Sequence, residues 1–271
     1  MRVAAPVLLI AATLFTFTLA SSSPDRQTAE LNGFELYYET IGEGEPLLLV
    51  HAGLATARMW DPFIEELAKS HRLIIPDLRG HGRSTNPGGE LSFRQCARDL
   101  LALMDHLGIE SAKGIGASMG AMTLLHMAVM EPRRIEAMVL VGAGPYIPEG
   151  CREKLRTYTP ESYPESAWSA MRAQHAHGDE QIRALLEFLA SLSKDYEDAT
   201  FTPPHLGTIS ARTLIVHGDR DYCFPVSLAT QMYESIPDAY LYVVPNGDHV
   251  PITSWRAEPF MQMVGMFLRG N

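Results

Sequence analysis

The side chains of this chain best suited to chemistry are a serine, two aspartates and a histidine, set in three separate glycine-bearing stretches. Ser118 lies in Gly116-Ala117-Ser118-Met119-Gly120, Asp219 and Asp221 in His217-Gly218-Asp219-Arg220-Asp221, and His249 in Gly247-Asp248-His249. A serine hydroxyl is too weakly acidic to attack a carbonyl at neutral pH, so it needs a base, and the base needs a group that steadies its cation. His249 would take the hydroxyl proton and later return one to the leaving group, while an aspartate behind it holds the imidazole in the right tautomer. The backbone N–H groups of Met119 and Gly53 would receive the negative charge that develops on the carbonyl oxygen, and one such donor is worth about 3 kcal/mol.

Taken singly, each of these residues has a plainer explanation. Gly-x-Ser-x-Gly also describes an ordinary strand-to-helix turn. His249 alone fits a satisfied loop histidine, Asp248 a turn cap, and Asp219 and Asp221 are equivalent acids on composition. His51, His81, His126 and His217 are further bases, but none has an acid-bearing loop in the matching order. Serine, then acid, then histidine is the chain order of one triad architecture, in which the serine stands on a sharp turn between a strand and a helix. The two glycines remove the Cβ atoms that such a turn would crowd, and the amino end of the following helix favours developing negative charge.

The elements that must position these groups read as follows. Asn32-Gly33 between two strand-like runs is a hairpin signal. Leu47 to Val50 is a continuous apolar run, as in a strand buried on both faces, and it ends at His51-Ala52-Gly53-Leu54. Trp60 to Ser70 has helical spacing, Arg72 to Asp77 is a strand, and Leu78 to Ser84 is a glycine-rich loop without the spacing of a phosphate loop. Ser92 caps an amphipathic helix that runs to Leu107 and closes at Gly108. Met122 to Met130 reads as a helix and Ala137 to Gly142 as a buried strand. From Pro145 to about Pro204 the strand pattern stops and polar helical stretches appear, at Ala167 to His175 and Glu180 to Ser193. There Trp168 and Met171 either wall a cleft or pack the insertion onto the core. Thr213 to His217 and Tyr240 to Val244 restore the strands, with helices at Ser227 to Ser235 and Glu258 to Arg269. Repeated strand-then-helix units predict an α/β fold with a mostly parallel central sheet, helices on both faces and a small helical cap at about 145–204. Loops leaving the carboxyl ends of such strands gather at one edge, where a ligand binds.

The remainder bounds the setting. The chain has 271 residues, 46% of them hydrophobic and 20% charged, with a net charge of −10. That is ample for a large core, and the acidic balance argues against nucleic acid or an anionic membrane as partner. Residues 1–20 carry Arg2 as their only charge, then an apolar run, then small residues before Ser21-Ser22-Ser23. They read as a secretory signal peptide cleaved near Ala20, giving a periplasmic or secreted protein of residues 21–271, with an uncleaved membrane anchor as the rival. No stable membrane partner is expected after cleavage. Three cysteines allow one bridge: Cys96 fits a core position, and Cys151 and Cys223 pair only if the fold brings them together. No ligand spacing for a metal is present. Oligomeric state is left open.

With these stretches in place, most of residues 30–269 resembles the α/β-hydrolase-fold serine hydrolases, in the group of esterases, lactonases and cofactor-free haloperoxidase-like enzymes. The resemblance rests on His51-Ala52-Gly53, Asp77-Leu78-Arg79-Gly80-His81-Gly82-Arg83-Ser84, Gly116 to Gly120, His217 to Asp221 and Gly247 to His249. It implies that Asp221, three residues after Gly218, is the acid, and that Gly53 is the first oxyanion donor beside Met119. It departs from the family where Ala52 stands for glycine and Ala117 for histidine. Ser118 argues against epoxide hydrolases and haloalkane dehalogenases, which share the fold but attack with aspartate. The resemblance implies hydrolysis of a small-molecule carboxylic ester or lactone through an acyl-serine intermediate, with no cofactor. The alternatives are C–C, amide or perhydrolase chemistry on the same triad, and a non-catalytic ligand-binding homologue.

Overall fold

Asn32 and Gly33 take positive φ angles of 49° and 76°, so the turn suits the right-handed twist of the strands it joins. A computed structural model describes residues 24–86, 88 and 91–270. The expected leader at residues 1–20 lies outside the described residues. The hairpin pairs β1 (Asp25–Leu31) with β2 (Phe34–Ile41), and the chain returns through β3 (Glu45–Val50). A 3-10 turn at Ala57–Trp60 then leads into α1 (Asp61–Leu67). The helix expected at Trp60 to Ser70 therefore starts after Trp60, with Pro62 in its first turn, where a missing N–H is not needed.

β4 (His71–Pro76) precedes α2 (Phe93–His106), whose cap Ser92 accepts a hydrogen bond from the Gln95 N–H as expected. β5 (Ala112–Ala117) runs into α3 (Met119–Met130), and β6 (Ile135–Val141) follows. The insertion holds α4 (Glu149–Leu155), a 3-10 turn at Pro160–Ser162, α5 (Glu165–Arg172), α6 (Gly178–Ser191) and the short α7 (Pro203–Leu206). Both α4 and α7 went unread in the sequence, since neither is long enough to show a period. β7 (Arg212–Gly218), α8 (Val226–Ser235), β8 (Ala239–Val244) and α9 (Ala257–Leu268) complete the chain.

The sheet has the order β1-β2-β4-β3-β5-β6-β7-β8, with β1 and β2 antiparallel to their neighbours and the other pairings parallel. Both faces are covered, which explains the continuous apolar strands. Leu48 and Val50 of β3 join the cluster built on α2, α3 and α8, whereas Leu47 and Leu49 join Phe63 of α1 and Phe260 and Val264 of α9. Because β3 and β5 to β8 are parallel, their carboxyl ends lie on one edge, and the loops after them supply the site.

Candidate active site

Ser118 sits between β5 and α3 with φ 49° and ψ −110°, a backbone conformation that a non-glycine residue keeps only where the surroundings enforce it. Close packing does so here. A Cβ on Gly116 would lie 2.5 Å from the Gly120 carbonyl oxygen, and one on Gly120 would lie 2.6 Å from the Val50 carbonyl carbon and 2.8 Å from the His51 oxygen. Only glycine at both positions lets α3 start this close to the ends of β3 and β5.

The loops after β7 and β8 meet the serine. His249 Nε2 lies 2.9 Å from Ser118 Oγ, and His249 Nδ1 lies 2.9 Å from Asp221 Oδ2. The Asp221 side chain is fully buried, and its other oxygen accepts the backbone N–H groups of Cys223 at 2.7 Å and Phe224 at 3.1 Å. Burial pushes this carboxyl up, but the hydrogen bond and charge of His249 and the two amides outweigh it and hold the group below the usual carboxylate range. An ionised acid at that place fixes the proton of neutral His249 on Nδ1 and leaves Nε2 free to accept from Ser118.

Asp219 faces elsewhere. Its Oδ1 accepts the Gly247 N–H at 3.1 Å, which ties the β7 and β8 loops together. His217 lies behind the acid, fully buried, with Nε2 donating to the Phe224 oxygen at 2.8 Å. His126 is likewise turned away and bonds the Asp198 oxygen at 2.6 Å. In the glycine-rich loop, Arg79 pairs with buried Asp99 at 2.8 Å, and His81 is buried. Neither borders the cavity at Ser118.

That cavity has a volume of about 280 Å³ and is bounded by Gly53, Met119, Ser118 and His249 at one end. Met122, Ile147, Leu155, Leu189, Leu192 and Phe224 form its apolar wall, four of them from the insertion or the loop leading into it. Tyr158, Tyr163, Tyr222 and Lys154 supply the polar part, and among the described residues no acidic side chain lines it. Tyr158 and Tyr222 bring their hydroxyls to 3.4 Å. Sequence reading missed Tyr222, although its place directly after the acid was a usable signal. Trp168 and Met171 do not border this cavity; they pack with Ile182 and Leu186 in a small core of the insertion. A second cavity of about 320 Å³ between Gly80 to Asn86 and α6 holds, among the described residues, no comparable serine–histidine pair.

Gly53 and Met119 both border the space beside Ser118. Among the described residues neither N–H is taken up by a backbone acceptor, so both are free to donate to an incoming oxygen. Cys151 of α4 and Cys223 are disulfide-bonded, with Cα atoms 4.4 Å apart, and Cys96 is a buried free thiol. Among the described residues no group of three or more His, Cys, Asp or Glu side chains is arranged to hold a metal. No described helix is long and apolar enough to cross a membrane.

The model of the alpha/beta hydrolase fold family matches residues 45–183. The chain belongs to that family. It is similar to the 2-hydroxy-6-oxo-6-phenylhexa-2,4-dienoate hydrolase of Comamonas testosteroni, at 27% identity over 89% of this chain and 93% of that one. It is also similar to the pimeloyl-[acyl-carrier protein] methyl ester esterase of Nitrosomonas europaea, at 25% identity over 81% of this chain and 94% of that one. Among solved structures, a serine hydrolase from the polyaromatic hydrocarbon-degrading bacterium Cycloclasticus zankles superposes with a TM-score of 0.78 at 20% identity, covering 92% of this chain and 99% of that one. The alpha/beta hydrolase assignment matches the expectation from the motifs, and hydrolase chemistry follows from it. A relative named as a dienoate hydrolase and one named as a methyl ester esterase stand side by side, so membership of the family does not by itself fix the bond that is cut.

Proposed function

We propose that the chain is a serine hydrolase that cleaves a small carboxylic ester or lactone through an acyl-Ser118 intermediate. The observation that carries this reading is the hydrogen-bonded series Ser118–His249–Asp221 opening into a largely apolar cavity. Ser118 Oγ attacks the carbonyl carbon while its proton passes to His249 Nε2. Asp221 stabilises the imidazolium, and the N–H groups of Gly53 and Met119 receive the oxyanion. Collapse breaks the C–O bond, and the alcohol leaves with the proton held by His249. Water then attacks the acyl-enzyme by the same route and frees the acid.

Ester cleavage needs no group beyond these, because an alkoxide takes the His249 proton at oxygen. C–C cleavage is the second reading, since the Comamonas relative acts on a dienoate by its name. It would need a carbon leaving group to be protonated and a carboxylate to be held, and among the described residues Lys154 is the one lysine or arginine lining the cavity. Export through residues 1–20 belongs to the same proposal. The Cys151–Cys223 bridge supports it, because disulfides persist in oxidising compartments; an intact mass beginning near Ser21 would check it.

The test is turnover of an acyl-ester panel, a lactone and a 2-hydroxy-6-oxodienoate by the protein and by Ser118→Ala, with fluorophosphonate labelling read by mass spectrometry. We expect label on Ser118, ester or lactone turnover, and a loss of at least about 10³-fold in kcat for Ser118→Ala. Turnover of the dienoate alone would move the assignment to C–C hydrolysis. Neither label nor turnover would overturn both readings.

A further inference from the structure

The loop that carries Gly53 is held from the side of the helical insertion. Leu54 has φ 59°, and a leucine stays at such an angle only where its neighbours over-determine it. Several of those neighbours belong to the insertion. The Leu54 side chain packs against the small cluster of Trp168, Met171, Ile182 and Leu186. A Cβ on Gly53 would lie 3.2 Å from Leu189 Cδ2 of α6. The Leu54 carbonyl lies 3.3 Å from His175 Nε2, in the turn between α5 and α6.

His175 is 2% exposed, and its two ring nitrogens do different work. Nδ1 accepts the Gly82 N–H at 2.9 Å. A backbone amide can only donate, so Nδ1 carries no proton, and the proton of the neutral ring sits on Nε2, directed at the Leu54 oxygen. Burial, the leading influence on this ring, lowers its pKa and keeps it neutral. The turn is registered on the glycine-rich loop by further bonds: Ala176 N–H to the Gly82 oxygen at 2.9 Å, and Gln181 Nε2 to the Gly80 oxygen at 2.9 Å and the Gly82 oxygen at 3.1 Å. His175 is thus fixed on one side to the loop after β4 and offers its N–H on the other to the loop after β3.

We propose that His175 is a positioning residue for the oxyanion hole: its Nε2–H holds the Leu54 carbonyl and thereby keeps the Gly53 N–H aimed at the space beside Ser118. The proposal rests on the serine-hydrolase reading above for its catalytic consequence, but not for the hold on the loop. It makes the insertion part of the machinery as well as a wall of the cavity, because its contacts with Leu54 hold the loop that carries Gly53.

Two variants separate the two bonds. His175→Asn puts a side-chain oxygen where Nδ1 accepts from Gly82 but is too short to reach Leu54. His175→Gln puts a side-chain N–H near the place of Nε2 and gives up the Gly82 bond. The measurements are kcat and KM on the best ester, the affinity of a matching trifluoromethyl ketone, whose adduct oxygen fills the oxyanion position, and amide hydrogen exchange of residues 52–55. We expect His175→Asn to lower kcat at least about tenfold with KM within about twofold, to weaken the ketone by a like factor, and to speed exchange at 52–55. His175→Gln should stay within about threefold of the parent in each. Equal losses in both variants, a change in KM alone, or unchanged exchange in His175→Asn would overturn the proposal. If the parent neither labels at Ser118 nor turns over any ester, the functional reading falls, and the exchange comparison still decides whether His175 holds the loop. If His175→Asn does not fold, His175→Ser replaces it, because serine is likewise too short to reach the Leu54 oxygen: a lower kcat with faster exchange at 52–55 supports the proposal, and a raised KM alone or unchanged exchange overturns it.

Discussion

Removing the bridge between Cys151 and Cys223 should destabilise the protein and slow it, and the size of the first effect can be worked from the chain. The bridge closes a segment of 72 residues, running from within α4 through α5, α6, α7 and β7. Restricting a loop of that length in the unfolded chain corresponds to about 4.4 kcal/mol at 25 °C in the chain-entropy model. For a domain of this size each kcal/mol moves the thermal midpoint by roughly 2–4 °C, so a fall of about 9–18 °C is expected. The activity should drop as well, because Cys223 lies two residues beyond Asp221 and its N–H is bonded to the Asp221 carboxylate at 2.7 Å. The assay is a calorimetric scan and a kcat measurement on the protein and on Cys151→Ala/Cys223→Ala, each with and without a dithiol reductant. The reductant should bring the parent down to the variant and leave the variant unchanged, since Cys96 is buried and has no partner. If parent and variant melt together and neither responds to reductant, the covalent link contributes nothing to holding the insertion, and the entropic reasoning fails.

Acid should weaken the fold before it affects any carboxylate. His51, His81 and His175 are buried, and burial lowers the pKa of each. Below about pH 6.5 they then take up protons in the unfolded chain but not in the folded one. Their contribution to stability is therefore complete above that pH and lost as the pH falls toward the folded values, by about 1.4 kcal/mol per pH unit for each ring. Urea unfolding at pH 7.5, 6.5 and 5.5 should show little change over the first step and a loss of several kcal/mol over the second; a flat profile would contradict the neutral, buried state of these rings. Gly120→Ala should cost about 1–3 kcal/mol, because its Cβ meets the backbone of Val50 and His51. It should also lower kcat more than it raises KM, by displacing α3 from the end of β3; an unchanged kcat would show that the turn can relax without moving Met119.

Most of the fold was legible because its strands are buried on both faces. Leu47 to Val50 and Ala137 to Val141 read as unbroken apolar runs, and the α/β order followed from their alternation with helical spacing. The serine and histidine loops were legible for a related reason: glycines at 116, 120 and 247 mark places where backbones touch. Asp221 and Asp219 could not be told apart by local pattern, because both sit in one polar loop. The difference is which carboxylate turns toward His249 and which toward the Gly247 amide, a matter of loop direction that no periodicity encodes. The insertion was legible only as a change in composition. Its short helices α4 and α7 show less than two turns each, and the roles of Trp168 and Met171 depended on a small core of their own, invisible until α5 and α6 are placed together.

The departure of this chain at His51-Ala52-Gly53 and the hold of the insertion on Leu54 bear on one another. A side chain at position 52 narrows the backbone angles open to the loop, and a leucine at positive φ raises its energy further. A loop under that strain needs outside support to keep one conformation. His51 gives part of it from within, accepting the Leu78 N–H at Nε2 at 2.9 Å and bonding the Ala52 oxygen through Nδ1 at 2.8 Å. The rest comes from residues more than a hundred positions away, His175, Leu186 and Leu189, none of which belongs to a motif. Substrate selection and oxyanion stabilisation are therefore coupled here through the same segment: the insertion that supplies much of the apolar cavity wall also bears on the loop carrying Gly53. A change in that segment made to admit a larger acyl group would be expected to lower kcat even for the substrates it already accepts.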